Sequence, residues 1–288
     1  MTNEEFIKTH QNPWEEIAKI YDSSSKDCLF GENNYILKID NEIIDDFNNK
    51  IVEAANKYED NAAKRDEILK DRIIKNIPPE PWWGNPLKAR LIILSLNPGY
   101  VPEVNMTLAK LMQTNEAVRR QLINYKAKTL RLEAESFLPE EKIEEGCPIS
   151  CRDAVNMLGD WYWVKMLKNL RKDLIKRNNQ MGEEEFYRQV ALIEFCGYSS
   201  ETAKHELPKS EKGSHGFLKE LIRHISKKED VRFLIMRDKP RWDNLLNYVG
   251  CSDDKRLYRK SGCRSQYVTL GNLEDGDYDK LLKFLTRW

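Results

Sequence analysis

The segment from Arg90 to Tyr100 constrains the fold of this chain more than any other. Residues 91–96 are apolar except for Ser95, which predicts a strand buried on both faces. The strand ends in Asn97-Pro98-Gly99, three residue types that favour turns. Because open α/β proteins bind ligands at the carboxyl ends of parallel strands, the segment predicts a ligand site as well as a strand.

The same reasoning predicts a parallel sheet of four strands. Strands are expected near residues 90–96, 190–196, 231–237 and 266–270, with helical patterns between them. Alternation of strands and helices predicts an α/β fold in three layers, α/β/α. We expect the strands in the spatial order second, first, third and fourth.

The remaining segments are predicted to decorate one α/β domain that spans residues 1–288. Residues 1–76 show helical periodicity and form an N-terminal helical decoration. Residues 104–180 form a large helical insertion after the first strand. Repeated prolines over residues 77–86 predict an irregular loop that leads into the first strand.

Composition excludes some functions and leaves others open. The chain has 47 Lys and Arg residues and 47 Asp and Glu residues, so its formal net charge is zero. Neutrality argues against strong non-specific binding to duplex DNA, although a local basic patch remains compatible with it. The chain starts with polar and acidic residues and contains no apolar run of about 18 residues, which predicts a cytoplasmic protein without membrane contact. Its cysteines are scattered, which predicts free thiols.

Polar or glycine-containing turns follow all four predicted strands. In a parallel sheet these turns lie along one edge, so we expect Asn97, Tyr198, Arg237 and Asn272 to open onto one shared cleft. For the aromatic residues the alternative is ordinary packing in the core or in a loop.

The Asn97-Pro98-Gly99 turn after a buried strand resembles the first active-site motif of the uracil-DNA glycosylase-like superfamily. That resemblance implies a four-stranded parallel sheet between helices, with Asn97 as the catalytic residue that positions the attacking water. It also implies substrate-binding roles for Pro98, Gly99 and Tyr100.

The second motif of that superfamily follows the last strand and grips a flipped nucleotide. Residues 269–273 hold that place in the predicted fold, which implies a contact between Asn272 and the base. The usual His or Asn followed by Pro-Ser is absent there. Tyr100 and Tyr198 could stack on a base, as such pockets require.

A basic cluster lies between the third and fourth predicted strands. Its members are Lys255, Arg256, Arg259, Lys260 and Arg264, with Tyr258 and Tyr267 interleaved. Such a cluster could follow a nucleic-acid backbone. The alternative is a solvated loop without a partner.

Two functions remain open on the sequence alone. One is a glycosylase-like N-glycosidic hydrolase that acts on single-stranded or mismatched nucleic acid, or on a nucleoside. The other is a non-catalytic binding protein that retains the fold and has a protein partner. We expect no cofactor and no metal, because Cys147 and Cys151 are separated by three residues and have no nearby histidine.

Overall fold

The computed structural model describes residues 1–22, 34–99, 114–139, 162–178, 181–202, 207–263 and 267–287. The predictions for Tyr100, Arg264, Cys147 and Cys151 lie outside these residues.

The described residues form one mixed sheet of five strands, in the order β1-β3-β2-β4-β5. Strand β1 is antiparallel to β3, and all other neighbours are parallel. The strands are β1 (Trp82–Trp83), β2 (Leu91–Ser95), β3 (Val190–Glu194), β4 (Arg232–Ile235) and β5 (Arg256–Tyr258).

Helices precede, separate and follow the strands. They are α1 (Asn3–Thr9), α2 (Glu15–Asp22), α3 (Asn41–Asn56), α4 (Ala62–Leu69), α5 (Glu116–Leu130), α6 (Tyr162–Arg177), α7 (Glu183–Arg188), α8 (Ser214–Ser226), α9 (Lys239–Tyr248) and α10 (Asp277–Leu285), with 3-10 turns at Lys38–Asp40 and Asp253–Lys255. Helices α1–α4 fall within residues 1–76, and α5 and α6 fall within residues 104–180. None of the described helices is long and apolar enough to cross a membrane.

Both faces of the sheet are buried, as the unbroken apolar run of β2 predicts. Ile92 and Leu94 pack in one hydrophobic cluster, whereas Leu91 and Ile93 pack in another. Alternate side chains of a strand point to opposite faces, so a strand between two cores must be apolar throughout. Each such side chain contributes roughly 1.5–3 kcal/mol when fully buried.

The α/β class is confirmed, and the first three strands occur in the predicted order. The prediction of a fourth strand at 266–270 is wrong, because residues 256–258 pair with β4 instead. In the described part of 266–270, the Asn272 amide donates to the Thr269 carbonyl across a turn. Val268 is buried and packs in a core, whereas Leu270 is 63% exposed, and neither residue extends the sheet.

The prediction of an irregular loop over 77–86 is also wrong in part. Trp82 and Trp83 pair with Ile193 and Leu192 of β3. Prolines flank these two residues without occupying their positions, so both backbone amides remain able to pair. The sheet therefore gains an antiparallel edge strand.

Candidate functional site

The ends of β2 and β3 run side by side beyond the strands themselves. Ser95 pairs in register with Glu194, and the Cys196 amide donates to the Leu96 carbonyl at 2.9 Å. A parallel bridge then joins Gly99 to Ser200. The Asn97 turn is thus held against the turn that follows β3.

Asn97 is buried, with 4% of its surface exposed. Its Nδ2 donates to Ser200 Oγ at 2.9 Å and to the Pro98 carbonyl at 3.3 Å. The Ser200 hydroxyl donates its own proton to the Thr202 carbonyl, so toward Asn97 it can only accept. This network fixes the orientation of the amide. Within the described residues, Asn97 Oδ1 accepts no hydrogen bond, and it can therefore accept one from a water.

The network continues away from the sheet and anchors the turn. The Thr202 hydroxyl donates to the carboxylate of Asp71, which is buried. The Thr202 amide donates to the Lys70 carbonyl at 3.0 Å, and the Ile74 amide donates to the Ser199 carbonyl at 2.9 Å. The segment that holds Asn97 is thereby tied to the chain that follows α4.

Glu194 ends β3 with 2% of its surface exposed. Burial raises the pKa of its carboxyl to about 8, against the opposing effects of the Ser95 hydroxyl and the Arg237 charge. In the described part of the chain, neither Glu194 Oε2 nor Ser95 Oγ completes a hydrogen bond of good geometry. At pH 7 Glu194 is therefore a neutral acid with an uncommitted oxygen, as general acids in active sites often are.

Sequence reasoning missed Glu194. The sequence feature that could have identified this residue is a single acid within the otherwise apolar run Val190-Ala191-Leu192-Ile193-Glu194-Phe195. A carboxylate at the buried end of a central strand is costly unless it is paired or neutral.

Two charged residues of opposite sign lie near Glu194 and differ in their pairing. Arg237 follows β4, is half-buried, and forms no ion pair with any described residue. Glu80 lies on the other side, where its amide donates to the Gly197 carbonyl at 2.8 Å. Lys126 Nζ lies 2.6 Å from the Glu80 carboxylate, so this acid is already paired. Arg237 is therefore the charge that remains available to an anion or to a developing negative charge.

Tyr198, predicted to contact substrate, is a buried core residue. Its hydroxyl donates to Asp40 Oδ2 at 2.7 Å and accepts from the Leu37 amide at 3.3 Å. Its ring packs on Trp14, with 5.3 Å between ring centroids. Both the ring and the hydroxyl are used within the fold, so Tyr198 does not face a cleft together with Asn97.

Asn272 lies beside the end of β5, displaced from Asn97 along the same edge of the sheet. The Lys260 amide donates to its carbonyl at 2.9 Å, and its own Nδ2 donates to the Tyr267 carbonyl at 2.9 Å. The end of β5 is two strands from that of β2, a lateral separation of about 10 Å. Asn272 therefore belongs to the loops after β5, and Asn97 and Arg237 are the predicted residues that lie close to Glu194.

The predicted basic patch is divided by β5, because Arg256 begins that strand and Arg259 follows it. Lys255 Nζ donates to the Ser226 and Lys228 carbonyls at 2.9 and 2.7 Å, where it satisfies the end of α8. Arg256 is buried, and its guanidinium lies 3.2 Å from the Asp253 carboxylate. These two cations have structural partners.

The cations after β5 are more accessible than Arg256. Arg259 and Lys260 are half-buried, and Lys260 Nζ lies 3.0 Å from the exposed carboxylate of Asp275. Tyr267 and Leu270 are 47% and 63% exposed on the adjoining loop. This smaller group retains the combination of basic residues and an interleaved tyrosine that the sequence predicted.

No group of three or more His, Cys, Asp or Glu side chains that could hold a metal ion occurs among the described residues. Comparisons with protein-family models, with curated proteins and with solved structures found no match for this chain.

Proposed function

We propose that this protein hydrolyses the N-glycosidic bond of a nucleoside or of a nucleotide in single-stranded or mismatched nucleic acid. The observation that carries the proposal is the buried, uncommitted Glu194 carboxyl beside a strand that ends in the oriented amide of Asn97. The two groups supply the functions this reaction needs, an acid for the leaving base and an acceptor that orients water.

The proposed step divides the chemistry between them. Cleavage of the bond from the sugar carbon to the base nitrogen passes through a state with oxocarbenium character. Glu194 donates its proton to the departing base, which leaves neutral. Asn97 Oδ1 accepts a hydrogen bond from the water whose oxygen bonds to the sugar carbon. The proton that this water loses returns to the Glu194 carboxylate, so the acid is regenerated.

The resemblance to the uracil-DNA glycosylase-like superfamily supports the proposal through position. Asn97-Pro98-Gly99 follows β2, which is flanked by β3 and β4 in a mostly parallel sheet. The segment after the last strand is now residues 259–263, and Cys263 Sγ lies 3.3 Å from Asn272 Oδ1. Because both amide atoms of Asn272 have partners in that loop group, a base contact by Asn272 would require them to exchange those partners for the base.

Nucleic-acid binding is proposed for the loops after β5. Arg259 and Lys260 would approach phosphates, and the exposed Tyr267 ring would stack on a base. Arg264 is included in this proposal because it follows Arg259 and Lys260 closely in the sequence.

The test is release of free base from uracil-containing single-stranded and mismatched DNA, and from uridine and deoxyuridine. We expect Asn97→Ala and Glu194→Gln each to lower the rate by at least about 100-fold, the usual scale for general acid and oriented-water contributions. Asn244→Ala, at an exposed position on α9, is the matched control and should retain the wild-type rate. Absence of release from every substrate, or release that both variants retain, would contradict the proposal.

The second candidate is a non-catalytic binding or interaction protein that retains the fold without the chemistry. It is favoured by the burial of Asn97 and by the structural pairing of Tyr198, Lys255 and Arg256. Saturable binding of these substrates with no release of base, weakened by Glu194→Gln, would select this candidate over the hydrolase.

A further inference from the structure

A concave region lies on the chain that follows α4, on the side away from β2 and β3, and neither Asn97 nor Glu194 lines it. It is a cavity of about 530 Å³ between one face of α3, the chain that follows α4, and Glu201. Sites for small organic molecules commonly have volumes of about 300–1,000 Å³. The cavity is therefore large enough for a ligand of modest size.

The lining combines apolar surface with a rigid wall. Val52, Leu69 and Ile73 contribute apolar surface. The wall is held by Asn48, whose Nδ2 donates to the Ile73 carbonyl at 3.0 Å and whose Oδ1 accepts from the Ile73 amide at 2.8 Å. On its other side, the Ile74 amide donates to the Ser199 carbonyl. A wall fixed on both sides loses little conformational freedom when a ligand binds.

The charges of the lining are unequally paired. Lys75 forms an ion pair with Asp45, which neutralises both. Lys70 and Arg72 are exposed at the same cavity, and their side chains form no ion pair with any described residue. Glu201 is the remaining acid of the lining, so the unpaired groups leave one net positive charge.

We propose that this cavity binds a small organic anion. Its apolar body would lie against Val52 and Ile73, and its phosphate or carboxylate group would bind Arg72 and Lys70. The guanidinium of Arg72 offers two parallel N–H donors, the geometry that matches either acid group. This site is independent of the hydrolysis proposed for Asn97 and Glu194.

The experiment is calorimetric titration of the full chain with phenyl phosphate, benzoate, benzyl alcohol and inorganic phosphate. We expect phenyl phosphate or benzoate to bind with a dissociation constant of about 1 mM or tighter, and more tightly than benzyl alcohol and inorganic phosphate. The tighter of the two anions identifies the acid group. Amide chemical shifts of Ile73 and Ile74 should move during the titration.

Variants establish whether the two cations are responsible. Arg72→Gln and Lys70→Gln should each weaken binding at least about fivefold, since each removes a charge-assisted hydrogen bond. Lys227→Gln, which removes an exposed cation beyond the end of α8, is the matched control and should bind as the wild type does. Exposed charges contribute little to stability, so all three variants should fold. No binding of either anion, or binding unchanged in both variants, would overturn the proposal.

Discussion

The ends of β2 and β3 and the region around β5 both carry polar side chains, but they differ in how those side chains are paired. At the first region, Glu194 Oε2 and Ser95 Oγ are buried with no hydrogen bond of good geometry in the described residues. Around β5, backbone carbonyls and carboxylates pair with Lys255 and with the two terminal nitrogens of Arg256, and within the described residues only its Nε lacks a partner.

The difference shows that the hydrogen-bond and ion pairing of polar side chains indicates a candidate catalytic site better than the number of charged residues does. A buried polar group without a hydrogen-bond partner lowers the stability of the folded protein. A fold that contains such a group therefore retains it despite the lost stability. A charge that neutralises a neighbour or ends a helix has a structural role already. The candidate site therefore lies at the smaller and less charged of the two regions.

The largest expected effect is a dependence of stability on pH through Glu194. Its folded pKa of about 8 lies above the ordinary value of 4.5, so the folded chain keeps a proton that the unfolded chain releases. Stability from this group is full below about pH 4.5 and is lost as pH rises through 8, by roughly 1 kcal/mol per pH unit. Glu194→Gln remains neutral throughout.

Urea denaturation of the wild type and Glu194→Gln at pH 5, 6, 7 and 8 measures this difference. The free energy of unfolding of the variant should rise relative to the wild type at each step. A constant difference would mean that Glu194 is ionised in the folded protein, which would remove the contrast between the two regions.

An intermediate effect is expected from Arg256 in the paired region. Arg256→Gln leaves the Cys251 carbonyl and the Asp243 and Asp253 carboxylates without their cation. We expect a loss of about 1–3 kcal/mol in the free energy of unfolding. Arg259→Gln, one position beyond β5, should change it by less than about 0.5 kcal/mol. Equal effects of the two substitutions would show that β5 does not divide the patch.

The smallest effect concerns the salt dependence of binding to single-stranded nucleic acid. Each phosphate contact adds roughly 0.7 to the slope of log affinity against log salt. Arg259→Gln and Lys260→Gln should each lower that slope by about this amount, whereas Lys255→Gln should leave it unchanged. Slopes are obtained from fluorescence anisotropy at several salt concentrations. A slope that falls with Lys255→Gln as much as with Lys260→Gln would mean that both residues belong to one nucleic-acid-binding patch, which would contradict the division by β5.

The sequence predicts the parts of this fold that rest on continuous apolar runs. Strands β2, β3 and β4 follow directly from such runs, and Asn97 follows β2 at the expected edge. Strand β5 is only three residues long and begins with Arg256, whose charge is acceptable because two aspartates lie close to it. Asp253 lies three positions before Arg256 and is visible locally, whereas the contact with Asp243, thirteen positions earlier, depends on the fold.

The candidate site was less predictable for a related reason. The pKa of Glu194 depends on how completely the fold removes it from water, and Tyr198 is held by Asp40, which lies 158 positions earlier in the chain. The fold determines the roles of Glu194 and Tyr198 through burial and long-range pairing. The neighbouring residues in the sequence specify neither the burial nor the pairing. A lone acid in an apolar strand is the one local signal that could have identified Glu194.

The most direct test of this account is a titration of the Glu194 carboxyl carbon by NMR in the ¹³C-labelled wild-type protein. The assignment comes from the signal that disappears in Glu194→Gln. We predict an apparent pKa of about 8, so that the carboxyl is neutral at pH 7 and ready to donate its proton. An apparent pKa near the ordinary value of 4.5 would mean that the group is charged and solvated, and it would contradict the assignment of an acid to the end of β3.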